Sequence, residues 1–195
     1  MSLELQILRV HGIEIVDEKG VARIKLSVKN EASVIELYHP NGKIGLEIGV
    51  DENQSEVCLK NSSGEVRAVF GIGDEQPGIG FYAPGGQRVF EIYLDYDRGL
   101  VIGFYDKTNQ HRMTITVDFL TNISPIIWIY DEIYQVRVSL SLMHKQPIIS
   151  FYDKFGKQRL NIGIGQEEIV GIWLNDWYEK PQIVIGTDKE GLPRL

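Results

Sequence analysis

The chain has 195 residues, 43% hydrophobic and 24% charged, with a formal charge of −7 and a single cysteine, Cys58. That length can bury a core as one domain, and the acidic balance argues against a general nucleic-acid binder, which needs excess Lys and Arg to neutralise phosphate. One cysteine excludes an intrachain disulfide framework and a multi-cysteine metal site.

From the N-terminus, Met1-Ser2-Leu3-Glu4 lacks the basic and apolar segments of a signal peptide. No apolar run reaches the roughly 18 residues of a spanning helix. These features favour the cytoplasm.

Apolar residues then alternate in short runs. Ile13 and Ile15 precede Asp17, and Ile24, Leu26 and Val28 follow it. Ile35 and Leu37 precede His39, and Leu46, Ile48 and Val50 follow. The pattern returns with Ile79 and Phe81, with Phe90, Ile92 and Leu94, and with Ile102 and Phe104. Farther on come Ile149 and Phe151, then Leu160, Ile162 and Ile164. A period of two with β-branched and aromatic residues predicts half-buried strands.

The runs share one frame. Its anchors are Asp17, His39, Asn61, Ala83, Asp106, Asp131, Asp153 and Asp188, mostly 22 residues apart. Three residues later Gly recurs, replaced by Asn109 and Tyr134 in two units; six residues later Arg recurs, as at Arg23, Arg67, Arg112, Arg137, Arg159 and Arg194. Asp opens a turn by accepting from backbone N–H groups, and Gly supplies the positive φ that closes it. The prediction is a repeat of about eight hairpin units in a single all-β domain over 1–195. The segment 166–181, with Trp173, Trp177 and Tyr178, interrupts the period and reads as a capping insertion or a degenerate hairpin near Asn175. A smaller insertion spans Thr121–Pro125.

Pairing each anchor with the residue five positions on brings Phe151 opposite Leu160 and Ile149 opposite Ile162. One face is then apolar and the other carries Lys25, Ser27, Glu47, Gly49, Thr114, Thr116, Asn161 and Gly163. A one-sided sheet is expected to bury its apolar face, so the meander is predicted to roll into a barrel or sandwich. The alternatives are a four-bladed propeller and an intertwined oligomer.

The same register places Tyr105 opposite Arg112, Tyr130 opposite Arg137 and Tyr152 opposite Arg159. With Trp128 they form a stripe on the polar face. Tyr, Trp and Arg are enriched at binding hot spots, so these seven residues are the candidate ligand or partner surface. Such pairs also stiffen a hairpin.

Other chemistry is sparse. Glu36 faces Glu47, a paired-carboxylate arrangement found in glycosidases, yet no other unit repeats it. His11, His39, His111 and His144 show no ligand spacing, and the turn Asp residues do not build a calcium cage. The Gly71–Gly80 run lacks the Lys-Ser/Thr and helix of a phosphate loop. No cofactor or metal is expected.

The phrase Tyr152-Asp153-x-x-Gly156-x-x-Arg159 is similar to repeats in bacterial and phage-associated β proteins, and the resemblance transfers no functional residue. Membrane-tethered barrels with Asp-x-x-Gly hairpins are a fainter likeness, without their central helix. The expected function is a non-enzymatic structural or interaction repeat protein with a protein or glycan partner, or an oligomer. A carrier of an apolar or glycan ligand in a barrel lumen and a glycosidase-like enzyme are the alternatives.

Overall fold

A computed structural model describes residues 9–73, 76–117, 125–143, 145–165, 169–187 and 190–194. All of its regular structure is strand. Contacts divide the chain into two units, Met1–Gly86 and Gln87–Leu195. His144, Asp188 and Leu195, and residues 121–124 of the predicted insertion, lie outside the described residues.

The first unit holds β1 (Gly12–Val16), β2 (Ala22–Lys29), β3 (Ala32–Tyr38), β4 (Ile44–Val50), β5 (Gln54–Lys60), β6 (Val66–Gly73) and β7 (Gln76–Tyr82). The second holds β8 (Arg88–Asp95), β9 (Gly99–Tyr105), β10 (His111–Val117), β11 (Ile126–Tyr130) and β12 (Val136–Met143). It continues through β13 (Gln146–Tyr152), β14 (Gln158–Ile164), β15 (Val170–Asn175), β16 (Pro181–Thr187) and β17 (Pro193–Arg194). Within each unit every strand pairs antiparallel with its chain neighbours.

The predicted phase is observed. Phe151 pairs with Leu160 and Ile149 with Ile162, and the same ladder runs Ile24, Leu37, Leu46, Leu59, Ala68 through the first unit. The anchors act as expected too. Asp153 Oδ1 accepts from the N–H groups of Phe155 and Lys157, and Gly156 donates its N–H to the Asp153 carbonyl at φ +76°.

Three features correct or narrow the sequence reading. The first lies beside each turn. Tyr105 pairs with His111, Tyr130 with Val136 and Tyr152 with Gln158, one residue short of the expected Arg. In the seven anchor hairpins that lie within one unit, at Asp17, His39, Asn61, Asp106, Asp131, Asp153 and Asp176, the residue six after the anchor is an unpaired bulge residue. A type I turn followed by a left-handed residue requires such a bulge. The expected Tyr–Arg facing pairs therefore do not form.

The second concerns 166–181. Its described part is an ordinary hairpin: β15 and β16 pair around a turn at Asp176, where Glu179 takes the positive φ of +62°. The period therefore continues from Asp153 to Asp176, and no capping insertion exists among the described residues. The β16–β17 connection, which contains Asp188, falls at the opposite strand ends from the anchor turns. Asn175 and Asp176 hid the frame because Glu179 stands where Gly was sought.

The sheets also stay open. Among the described residues, β1 does not pair with β7 nor β8 with β17, so neither unit closes into a barrel. The apolar ladders are consequently not an inner layer. Ile162 remains 38% exposed and Phe70 61%, whereas the buried non-glycine residues among those described are Glu36, Cys58, Val101, Thr114, Ser139, Ile148, Ser150 and Asn161. All of these lie on the opposite face. Ladder side chains stand upright with only lateral neighbours, while on the other face long side chains lie flat over small ones.

Candidate interaction surfaces

The polar face is built from one recurring contact. In four repeats the residue before the anchor is a Tyr, namely Tyr38, Tyr105, Tyr130 or Tyr152, that folds toward the middle of the sheet and reaches a polar group there. Tyr130 and Thr114 hydroxyls are 3.1 Å apart, Tyr152 and Ser139 hydroxyls 3.2 Å, and Tyr105 donates to Glu91. In the first unit Tyr38 donates to Glu36 at 2.8 Å. Glycine makes room for these rings: a Cβ on Gly103 would meet His111 Nε2 at 3.0 Å and the Tyr105 ring at 3.1 Å. Trp128, half-buried between Thr114 and Ser139, belongs to the same row.

The arginines of the expected stripe go elsewhere. Arg137 Nε donates to its own anchor Asp131 at 2.7 Å, and its guanidinium also donates to the carbonyl of the next anchor, Asp153. Arg159 repeats this with Asp153 at 2.6 Å and the Asp176 carbonyl, and Arg112 with Asp106 and the Asp131 carbonyl. Arg23 does the same in the first unit, with Asp17 at 2.9 Å and the His39 carbonyl at 3.1 Å. The bulge aims these four side chains along the row of turns, so Arg23, Arg112, Arg137 and Arg159 each clamp one repeat to the next, whereas Arg67 pairs with Glu65 in its own turn. Structure thus separates the seven candidates: Tyr105, Trp128, Tyr130 and Tyr152 cover the polar face, while Arg112, Arg137 and Arg159 tie turns together.

These contacts set the carboxyl groups. The closing N–H groups of Val21, Gln135 and Lys180 lead in holding Asp17, Asp131 and Asp176 below the usual carboxylate range. At Asp106 the Thr108 hydroxyl leads. At Asp153 partial desolvation pulls upward and is outweighed by the Lys157 and Phe155 N–H groups and Arg159.

Sequence reasoning missed the densest polar cluster, in the second unit. His111 packs at a tilt of 35° against Tyr105 with centroids 4.2 Å apart, and Tyr130 stacks on Tyr134 at 4.8 Å. Arg88 forms an ion pair with Glu91 at 2.8 Å. Burial pushes the Glu91 carboxyl up against the pull of Arg88, and burial with Arg88 and Arg98 pushes His111 down. His111 follows its anchor by five residues and Tyr134 follows the next by three, a cross-unit neighbourhood visible only once the turns are aligned.

Glu36 and Glu47 do face each other. Both are engaged: Lys29 Nζ lies 2.5 Å from Glu36, which is 1% exposed, and Lys60 Nζ lies 3.2 Å from Glu47. Burial would raise the Glu36 carboxyl, but Lys29, Tyr38 and Lys25 hold it below its ordinary value. Burial and the Glu56 carboxylate push the Cys58 thiol up to about 11. His39 Nε2 is 3.1 Å from the Lys60 carbonyl. No group of three or more His, Cys, Asp or Glu among the described residues is placed to hold a metal.

The ladder face has the opposite character. In the first unit its positions are Ile, Leu, Val, Phe, Ala and Pro with Ser33 and Ser55, and no charge. Ile15, Val28, Val50, Leu59, Phe70 and Ile72 are each close to half exposed or more. Monomeric soluble proteins rarely expose apolar patches beyond a few hundred Å², and larger ones mark interaction sites.

No family model matches the chain, and no curated protein matches it. No helix among the described residues is long and apolar enough to cross a membrane.

Proposed function

We propose that this chain is a non-enzymatic interaction protein: a hairpin-repeat scaffold that binds through the apolar ladder face. The carrying observation is the contrast between the faces. Most of the charged and hydroxyl groups described on the polar face are engaged within the repeat, in Arg clamps, Tyr hydroxyl bonds and the Glu36–Lys29 and Glu47–Lys60 pairs, and the buried polar atoms left without a partner, on Ser27, His111, Asn161 and Asn175, are scattered over both units. The apolar side chains stand open. A catalytic centre needs convergent groups free to act on a substrate, and the paired carboxylates are already held by lysines. A lumen carrier needs closure, which neither sheet has.

The test is site-specific photo-crosslinking in a cell extract. Benzoylphenylalanine replaces Phe70 on the ladder face or, as control, Tyr178, an exposed turn residue at 78%. Discrete crosslinks from position 70 and none from position 178 are expected. Equal yields, or none at 70, contradict the reading. A hydrolase screen adds a second check: Glu36→Ala with Glu47→Ala is expected to match the parent.

A further inference from the structure

We infer that the occupant of the first unit's ladder face is a second copy of this chain, packed sheet to sheet. This rests on the proposal that the face is an interaction surface, and it names the partner.

Area is the first argument. Ile15, Val28, Val50, Leu59, Phe70 and Ile72 are 47–68% exposed. Apolar side chains of this size leave roughly 100 Å² each at half exposure, given the 150–250 Å² an aromatic can bury. These six expose about 600 Å², and the remaining ladder positions bring the face to the roughly 800 Å² per partner of a standard interface.

Composition is the second. An uncharged patch of aliphatic and aromatic residues resembles a domain core cut in half, the character of permanent homodimers rather than transient complexes. The chain's excess acid is absent from it, with Glu36, Glu47 and Glu56 all on the other face, so two like faces meet without charge repulsion.

Geometry is the third. The ladder repeats strand by strand, Ile35, Ile48, Val57 and Phe70 in one row. A regular grid of this kind is self-complementary under a two-fold axis. Two such faces pack about 10 Å apart, as the layers of a sandwich do. The dimer thereby supplies the second layer that neither sheet makes by closing.

The experiment is size-exclusion chromatography with light scattering on the full chain at tens of micromolar, with circular dichroism to verify folding. The parent is expected at twice its 22.2 kDa mass. Phe70→Glu is expected to run as a folded monomer, its dissociation constant raised at least about 100-fold by a buried, unpaired charge. Val28→Lys, on a different strand, serves if Phe70→Glu fails to fold. A monomeric parent overturns the inference, and so does a dimer that a folded variant leaves unchanged. A monomeric parent that floats with phosphatidylcholine vesicles overturns it in favour of a lipid surface. A monomeric parent with crosslinks to another protein at position 70 sinks the second copy and leaves the interaction surface standing; no crosslinks sinks both.

Discussion

At the scale of single residues, the repeat works by giving each position one job. Where a tyrosine precedes the anchor it is a lid whose hydroxyl is matched to Thr114 or Ser139, or to the carboxylates of Glu91 or Glu36. Tyr152→Phe removes the bond to Ser139, which is 4% exposed, and is expected to cost about 1 kcal/mol in a denaturant titration with unchanged slope. Gly156, at φ +76°, is expected to lose about 1–2 kcal/mol on replacement by Ala, because a Cβ crowds the carbonyl in the left-handed region. Where other residues hold this position, their side chains reach the preceding unit. Asn109 accepts from the Arg88 N–H and Glu179 from the Gln158 N–H, both at 3.0 Å, while Tyr134 lies 6.0 Å from His111. These contacts offset the backbone cost, so the departures from Gly at this position are links between units.

At the scale of the element, five of the hairpins are defined by an anchor carboxylate, at Asp17, Asp106, Asp131, Asp153 and Asp176. The sign of their pH dependence follows from the depressed Asp values. The folded turns hold Asp17, Asp106, Asp131, Asp153 and Asp176 ionised, while the unfolded chain takes up protons near pH 3.9. Their stabilisation is therefore complete above about pH 5, falls as pH drops through about 4 and continues to fall below it. Thermal melts between pH 7 and 2.5 are expected to show this loss, and Asp131→Asn to show less of it; a flat profile would contradict the role given to the turns. Strand phase and turn chemistry were legible in the sequence because a period of two and an Asp-x-x-Gly spacing are local signals. The bulge was not. It shifts one pair per hairpin, and the polar face has no hydrophobic pattern to reveal that Arg137 had left Tyr130. The hairpin at Asp176 was legible only as a degenerate hairpin near Asn175, beside a capping alternative, because Glu179 adopts the glycine conformation with support from a neighbouring unit.

The repeat also permits a test of its own module. Removing residues 131–152, 22 in number, joins Tyr130 to Asp153 in phase and is expected to leave a cooperatively folded chain. Removing 131–151 moves the following strand by one residue and turns its ladder face over. That variant is expected to aggregate or melt without a transition.

At the scale of the whole molecule, the sequence predicts two faces but not which one solvent sees. A one-sided sheet suggested closure, yet each unit's strands pair only along the chain, leaving the grease outward and the small polar residues covered. Nothing local encodes that outcome, because closure depends on how far a meander curls rather than on any residue's preference. The exposed ladder is also why function is argued from surface rather than from a pocket. The most direct measurement is thiol labelling in the Phe70→Glu background, in which the proposed self-association is suppressed. Cys58, 5% exposed on the polar face, is compared with cysteines introduced as Val28→Cys and Ile72→Cys on the ladder face. The expected result is labelling at the rate of a free thiol at positions 28 and 72 and slow reaction at Cys58. Rapid reaction at Cys58 with protection at 28 and 72 would show the sheet turned the other way, and the account would fall.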